Sequence, residues 1–239
     1  MKEKIQKRGL LAATALAVCG LASTATARAP ATTPWPDSFE TRVQALAILQ
    51  GFNADLLSHP SATLTIQRWC DTHHLAPVAK IVAHQVKNAD KPLPEGARAE
   101  LGIGPDEPVR YRRVQLACGE RVLSEADNWY VPSRLTADMN HQLDTSETPF
   151  GIVVKPLNFR RQTLDARLLW QPLPDDWEMD PSLPKIPSGP MVVPHDVLQH
   201  RAVLRDEGNH PFSLVVETYT SEILAFPQAH SARASSSAL

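Results

Sequence analysis

Residues 211–224 read PFSLVVETYTSEIL. The segment is rich in β-branched and aromatic residues, and Leu214, Val215 and Val216 are apolar in succession, which is typical of a strand covered on both faces. Glu217 follows directly. Because burying an unpaired carboxylate is costly, Glu217 needs either a partner or ligand inside the protein, or a solvated position on the sheet.

The same strand completes a predicted hairpin. Residues 197–219 (VLQHRAVLRDEGNHPFSLVVETY) contain turn residues at 206–209 between two apolar runs. Residues 109–118 (VRYRRVQLAC) and 122–132 (VLSEADNWYVP) form a second pair around a glycine turn. Successive hairpins of this kind predict an antiparallel sheet.

Three shorter segments also have the composition of strands. They are residues 77–86 (PVAKIVAHQV), 148–154 (TPFGIVV) and 164–171 (LDARLLWQ). Each is therefore a candidate to extend the sheet.

Two consecutive helices are predicted near the start of the domain. Asp37 and Glu40 have capping-box spacing, and apolar residues then recur at helical spacing. A break follows, and a second helix begins at Ser61 or Thr63 and runs through Cys70.

A third, short helix is predicted from a cap at Ser133 to about Leu143. Together these elements predict one α+β domain over residues 39–227, with an antiparallel sheet and helices packed on one face.

The N-terminus has the pattern of a secretory signal peptide over residues 1–27. A basic segment precedes an apolar stretch, and Ala25 and Ala27 provide an Ala-x-Ala cleavage pattern. We expect cleavage after Ala27 and a periplasmic or secreted location, with an uncleaved N-terminal anchor as the alternative. No later apolar run in the sequence is long enough to span a membrane.

Three further segments have biased composition. Residues 28–38 form a Pro-rich lead-in, and residues 228–239 are predicted to be a disordered tail. Residues 172–194 contain seven prolines and four acids. Because proline cannot donate to a ladder, this insertion is predicted to be an ordered loop or lid outside the sheet.

Charge and cysteine content restrict the partners. The net charge is −2, and the first 27 residues carry four basic and one acidic side chain, so the remainder is near −5. This balance predicts no nucleic-acid partner. An oxidising compartment would permit a disulfide between Cys70 and Cys118, although two such cysteines are more often independently buried thiols.

Common catalytic motifs are not supported. Ser182 and Lys185 have Ser-x-x-Lys spacing, but they lie in the proline-rich insertion and not at a helix start. His73 and His74 are adjacent, so their side chains diverge and do not chelate a metal together. We therefore expect no metal and no cofactor.

A strand arginine and the strand glutamate remain. Alternation places Arg113 on one face of its strand and Arg112 on the other, while Glu217 shares a face with Val215 and Tyr219. Both Arg113 and Glu217 are candidate site residues. The alternative is that each charge lies on a solvated face of the sheet.

Five short motifs occur in an order that resembles one family. They are TLT (63–65), RVQLACGE (113–120), WYVPSRL (129–135), TPFG (148–151) and HRAVLRDEGNHPFSLVVETY (200–219). In order and spacing they resemble the chorismate pyruvate-lyase family, which makes 4-hydroxybenzoate. The resemblance extends over most of the predicted domain.

The resemblance implies roles for four residues. Arg113 matches the family arginine that holds the ring carboxylate, and Glu217 matches the glutamate at the hydroxyl end of the ring, where it serves as acid/base. Leu64 and Phe150 match positions whose backbone N–H groups help to bind the carboxylate. At Asn128 the family has a further ligand-binding arginine, so this position departs from its pattern.

The implied fold is chorismate lyase-like, and the implied function is conversion of chorismate, or a related cyclic enolpyruvyl carboxylate, to 4-hydroxybenzoate and pyruvate in a buried cavity without a cofactor. The insertion at 172–194 has no counterpart in this pattern. The alternative is a non-catalytic periplasmic binding module for small aromatic carboxylates, because the same fold resembles effector-binding domains of transcription regulators. In either case we expect a monomer with a small-molecule partner.

Overall fold

This computed structural model describes residues 31–179 and 189–226. Its strands are β1 (Ala31–Pro36), β2 (Ile81–Gln85), β3 (Arg110–Cys118), β4 (Arg121–Tyr130), β5 (Arg160–Leu168), β6 (Pro190–Val193), β7 (Asp196–Arg205) and β8 (Pro211–Thr220). Its α-helices are α1 (Phe39–Ser58), α2 (Ala62–Thr72), α3 (Ala97–Leu101), α4 (Ala137–Thr145) and α5 (Phe150–Val153). Across these two ranges no helix has the length and apolarity needed to cross a membrane.

Six strands form one antiparallel sheet in the order β2-β3-β4-β8-β7-β5. Both predicted hairpins are confirmed. Gly119 adopts a left-handed conformation (φ 57°) in the β3–β4 turn, and Asn209 (φ 66°) does so in the β7–β8 turn. The second hairpin places β8 near the centre of the sheet, between β4 and β7.

The two faces of this sheet have different surroundings. Val114, Ala126, Glu217 and His200 lie in one row across β3, β4, β8 and β7, and so point to the same face. Helices α1, α2, α4 and α5 pack on that face, here called the helix face, and α3 covers part of the opposite, open face. The prediction of an α+β domain with an antiparallel sheet is confirmed, with α3 as the exception to one-sided helix packing.

The cap of α1 is displaced by one residue from the predicted box. Ser38 Oγ accepts a hydrogen bond from the Thr41 N–H at 3.2 Å, and Thr41 Oγ1 accepts one from the Ser38 N–H at 3.0 Å. Asp37 instead forms an ion pair with Arg42 at 2.7 Å. The predicted Asp37–Glu40 box is therefore wrong, because Ser38 occupies the extended cap position.

Ser61 caps α2, which is one of the two predicted starts. The predicted cap of the third helix is wrong. Ser133 lies within a 3₁₀ turn, Pro132–Arg134, and Thr136 caps α4 by accepting a hydrogen bond from the Met139 N–H at 3.1 Å. The proline at the start of the turn fixes the backbone before the helix can begin.

The prediction of a strand over residues 148–154 is also wrong, because Phe150–Val153 forms α5. Phe150 and Val153 are one helical turn apart and both buried, so the short helix places two apolar side chains in the core. Tertiary packing here overrides the β-branched composition of the segment.

The proline-rich segments contribute a separate two-stranded sheet. β1, from the predicted lead-in, pairs with β6, from the predicted insertion. The described part of the insertion thus lies outside the six-stranded sheet, as predicted, although it contains a strand. Residues 180–188, including Ser182 and Lys185, the predicted signal peptide (1–27) and the predicted tail (228–239) lie outside the described residues.

Cys70 of α2 and Cys118 of β3 are joined by a disulfide, with their Cα atoms 6.2 Å apart. The expectation of two independent buried thiols is therefore wrong. Sequence spacing could not show the pairing, because α2 crosses the helix face at the end of β3 only in the folded protein.

We predict that Cys70→Ala lowers the free energy of unfolding by about 2–4 kcal/mol, since the bond closes a loop of 48 residues. Cys118→Ala should cost a similar amount. The double variant should be no worse than about the larger single loss, because either substitution already removes the bond. Urea denaturation measures all three, and additive losses would indicate two independent thiols.

Candidate functional site

A cavity lies on the helix face, between the sheet and two helices. Residues 60–63, which lead into α2 and begin it, form one wall together with Phe150, Gly151 and Phe159. The strand residues that line it are Val114, Leu116, Ala126, Asn128, Arg161, Leu204, Val215 and Glu217. Its volume of about 30 Å³ is enough for about two water molecules.

Glu217 lies at the floor of this cavity and is 7% exposed. Its Oε2 atom is 2.6 Å from Arg161 Nη2 and accepts a long hydrogen bond, 3.4 Å, from the Tyr219 hydroxyl. Burial raises the pKa of Tyr219 well above its usual value, so the phenol stays protonated and can donate. Glu217 is therefore a buried ion-paired carboxylate, and its solvated-face alternative is wrong.

Arg161 is the partner that the sequence analysis missed. Its side chain is 4% exposed and reaches the cavity from β5, the edge strand. Burial is the largest single effect and opposes its charge, but the interactions with Glu217 and Tyr219 together outweigh it, so the pKa of Arg161 is raised. Nη2 is held by Glu217, whereas Nε has no hydrogen-bond acceptor.

His200 lies directly opposite Glu217 in the β7–β8 register and is fully buried. Its Nε2 atom is 2.7 Å from Asn53 Oδ1 of α1, whereas Nδ1 has no partner. Burial and the nearby charge of Arg161 lower the pKa of His200 to about 4. The ring is therefore neutral at pH 7.

Arg112 is a second buried guanidinium on the helix face. It is 3% exposed, and Asn128, its register partner on β4, lines the cavity. Its Nη2 makes only long contacts to the carbonyl oxygens of Ser146 (3.4 Å) and Thr148 (3.3 Å), while Nε and Nη1 have no partner. Burial lowers the pKa of Arg112.

Arg113 points the other way, to the open face. It pairs with Glu125 at 2.7 Å and lies 3.6 Å from Asp127, and its side chain is 36% exposed. Alternation separates it from Glu217, because the register partner of Glu217 on β4 is Ala126 and that of Arg113 is Asp127. The expectation that Arg113 and Glu217 share one cavity is wrong, and Arg112 occupies the face that was assigned to Arg113.

The two predicted backbone donors are placed differently. Leu64 is 41% exposed and outside the cavity lining, and its N–H donates to Ser61 Oγ at 3.3 Å. Phe150 lines the cavity with a buried ring, next to Tyr130. The structure thus brings Phe150 and Glu217 to one cavity and excludes Arg113 and the Leu64 side chain.

Signals for the missed residues were weak. β5 begins at Arg160, whereas its predicted strand began at residue 164, so Arg161 fell in a connection. Arg112 was recognised as facing away from Arg113, but nothing in the sequence states which face of the sheet carries the helices. His200 lies inside a predicted hairpin, and its burial depends on α1.

No protein-family model matches the chain. A protein of Sinorhizobium fredii, the uncharacterized protein y4mC, is 55% identical over 194 residues, which are 81% of this chain and 82% of that protein. The chain belongs to the y4mC family. The name of y4mC assigns no activity to that protein.

Partial structural likenesses occur to transcriptional regulators. PhnF from Mycobacterium smegmatis is 13% identical, with a TM-score of 0.46 over 72% of this chain and 68% of that chain. The effector domain of PhnF gives a TM-score of 0.41 at 13% identity over 60% and 82% of the two chains. A GntR-family regulator from Enterococcus faecalis gives 0.38 at 13% identity over 61% and 96%. TM-scores under 0.5 support no conclusion about function.

We predict that Arg161→Ala destabilises the protein by about 3–5 kcal/mol, because it leaves Glu217 buried without its cationic partner. Replacing both residues by leucine should cost less than this single substitution, since no buried charge of the pair remains. Arg160→Ala, at the exposed neighbouring position, is the matched control and should change stability by about 0.5 kcal/mol or less. Equal effects of Arg160→Ala and Arg161→Ala in urea denaturation would contradict the ion pair.

We predict that His200 makes stability depend on pH between about 6.5 and 4. Its folded pKa lies near 4, so below pH 6.5 the unfolded chain takes up a proton that the folded chain does not. Stability should therefore fall as the pH falls, by up to roughly 3 kcal/mol from this group. Urea denaturation across this range should show a shallower loss for His200→Gln, and no such difference for the exposed control His141→Gln.

Proposed function

We propose that the cavity binds a small aromatic or cyclic carboxylate. The observation that carries the proposal is an imbalance of buried charge on the helix face. Arg112 and Arg161 are both buried, Glu217 is the carboxylate paired with one of them, and His200 is neutral at pH 7. These four side chains together therefore carry a net charge of +1 at pH 7.

Unpartnered N–H groups support the same conclusion. Arg112 presents two nitrogens, Nε and Nη1, without a hydrogen-bond acceptor, and Arg161 presents one, Nε. A buried charged donor without a partner is costly, and a carboxylate is a favourable acceptor because it can take two N–H groups of one guanidinium. A ligand carboxylate would offset both the excess charge and the missing acceptors.

The spacing of these groups suits a small ring. Arg112 on β3 and Glu217 on β8 are separated by two strand spacings across the sheet and by two residues along the strand direction. In a regular sheet this offset places their Cα atoms about 12 Å apart. Arg112 lies just outside the cavity lining, behind Asn128, and in this proposal it takes the role of carboxylate clamp once the cavity enlarges towards it. Glu217 faces the opposite end of the bound ring, beside Arg161.

The cavity must enlarge to hold such a ligand. A ring with a carboxylate is larger than the two water molecules for which the cavity has room. The wall that can move is the one formed by helices, because the floor is a continuous hydrogen-bonded sheet. We therefore expect α5 to shift outward on binding, because the disulfide ties α2 to β3.

Chorismate lyase activity is the second candidate, favoured by the position of Glu217. A buried carboxylate that faces a cavity can move a proton during loss of the enolpyruvyl group as pyruvate. Formation of the aromatic ring supplies the driving force, so a clamp and one acid/base group would suffice.

We also propose that the protein acts outside the cytoplasm. The N-terminal signal pattern supports export, and the disulfide is the kind of bond that persists in oxidising compartments. The carboxylate that an exported protein binds must then be present in the same compartment. Cell fractionation should find a shortened chain beginning near Arg28, and full-length cytosolic protein would contradict this proposal.

Binding is tested with residues 28–239 and 4-hydroxybenzoate by titration calorimetry. Arg112→Ala should weaken binding by about 10- to 150-fold, which corresponds to a lost charge-assisted hydrogen bond of about 1.5–3 kcal/mol. Arg113→Ala is the matched control, because this neighbour points to the open face, and it should leave affinity within about twofold. A larger effect of Arg113→Ala, or no binding by the parent protein, would contradict the proposed site.

Catalysis is tested by incubation of the same protein with chorismate. If the lyase candidate is correct, 4-hydroxybenzoate and pyruvate should appear in equal amounts, and Glu217→Gln should lower turnover by about a hundredfold or more. Circular dichroism should show that the variant is folded. Binding of 4-hydroxybenzoate without product formation above the spontaneous rate would leave the binding module as the function.

A further inference from the structure

We propose that the Cys70–Cys118 disulfide is a redox lock on the cavity. In the oxidised protein the bond holds α2 against the sheet, and this form binds the ligand. Reduction to two thiols frees α2 and weakens binding. The ligand part of this inference rests on the proposed function, whereas the effect on α2 does not.

The bond joins a wall of the cavity to its floor. The first turn of α2 contributes Ala62 and Thr63 to the cavity wall, and Cys70 lies on the same helix about 12 Å further along. Leu116 of β3 lines the floor, and Cys118 follows two residues later. Among the described residues, this disulfide is the only covalent connection between α2 and β3 apart from the main chain. It therefore lies close to the cavity.

Besides the disulfide, α2 is held by buried residues of its N-terminal half, among them Ala62 and Ile66, and by side-chain hydrogen bonds further along the helix. The side chain of Gln67 accepts a hydrogen bond from the Ile81 N–H at 2.9 Å, and Trp69 Nε1 donates to the Ile223 carbonyl at 3.0 Å. At the cavity end α2 meets α5, where a Cβ on Gly151 would lie 3.3 Å from Thr63 Oγ1. The disulfide is the covalent member of these attachments, so reduction leaves only hydrogen bonds and apolar packing to hold α2 against the sheet.

Both sulfurs are inaccessible in the closed structure, because Cys70 and Cys118 are 0% exposed. A reductant reaches them only when α2 opens from the sheet. A ligand that contacts both wall and floor stabilises the closed form, so it should slow reduction. By linkage, reduction of the disulfide must then weaken binding of the ligand.

The chemical step is thiol–disulfide exchange. A dithiol such as dithiothreitol attacks the bond through a mixed disulfide and leaves as a cyclic disulfide. Two electrons and two protons pass from the dithiol to the protein, which yields the Cys70 and Cys118 thiols.

The effect on α2 is tested by amide hydrogen exchange of the oxidised parent protein and the double variant Cys70→Ala/Cys118→Ala. Amides of α2 should exchange about tenfold or more faster in the variant, whereas those of α3, on the open face, should change less. Leu101→Ala is the control, because it removes a fully buried side chain of α3 and lowers stability without touching the lock. Unchanged exchange in α2 of the double variant would overturn the proposal.

The effect on the site is tested with 4-hydroxybenzoate. The double variant should bind it about tenfold or more weakly, and saturating 4-hydroxybenzoate should slow reduction of the parent protein by dithiothreitol by about fivefold or more. If the double variant does not fold, the rate at which dithiothreitol reduces the parent protein, with and without 4-hydroxybenzoate, still tests the proposal. Equal affinity of the two proteins, or equal reduction rates with and without bound ligand, would overturn the lock and leave the binding site intact. If the oxidised parent does not bind 4-hydroxybenzoate, the proposed function fails, and amide exchange alone decides whether the lock exists.

Discussion

The pairing of β8 with β4 and β7 is the constraint on which the site depends. In this register Glu217 points to the helix face, in a row with Ala126 and His200. A slip of one residue would turn Glu217 to the open face and bring Val216 to the cavity. The helices exclude water from the helix face, so the register also decides that this carboxylate requires a partner.

Arg161 satisfies that requirement only in part. The ion pair offsets the cost of burying Glu217, but Nε of Arg161 and two of the Arg112 nitrogens lack acceptors. Replacing such charges by apolar residues is often neutral or stabilising. A buried group with excess positive charge is therefore poorly explained by stability, and ligand binding gives it a physical purpose.

The open face shows the contrast. Arg113 is half-exposed and paired with Glu125, and Asp127 accepts hydrogen bonds from Lys91 and the Tyr111 hydroxyl at 2.7 and 2.6 Å. Its charges are balanced: Arg113 and Lys91 keep side chains that are 36% and 49% exposed, and Asp127, although buried, has both of its oxygens satisfied. Two adjacent arginines on one strand thus have different roles, and the difference comes from what covers each face.

The sequence by itself determined the hairpins, the antiparallel sheet, the start of α2 to within two residues and the buried strand that carries Glu217, because turn residues and apolar periodicity act locally. It also showed that Arg112 and Arg113 point to opposite faces. Only the tertiary structure decided which face the helices cover, that Arg161 reaches Glu217 from the sheet edge, and that Cys70 meets Cys118. These facts depend on contacts between residues 48 or more positions apart, and local propensity carries no information about how such distant segments pack.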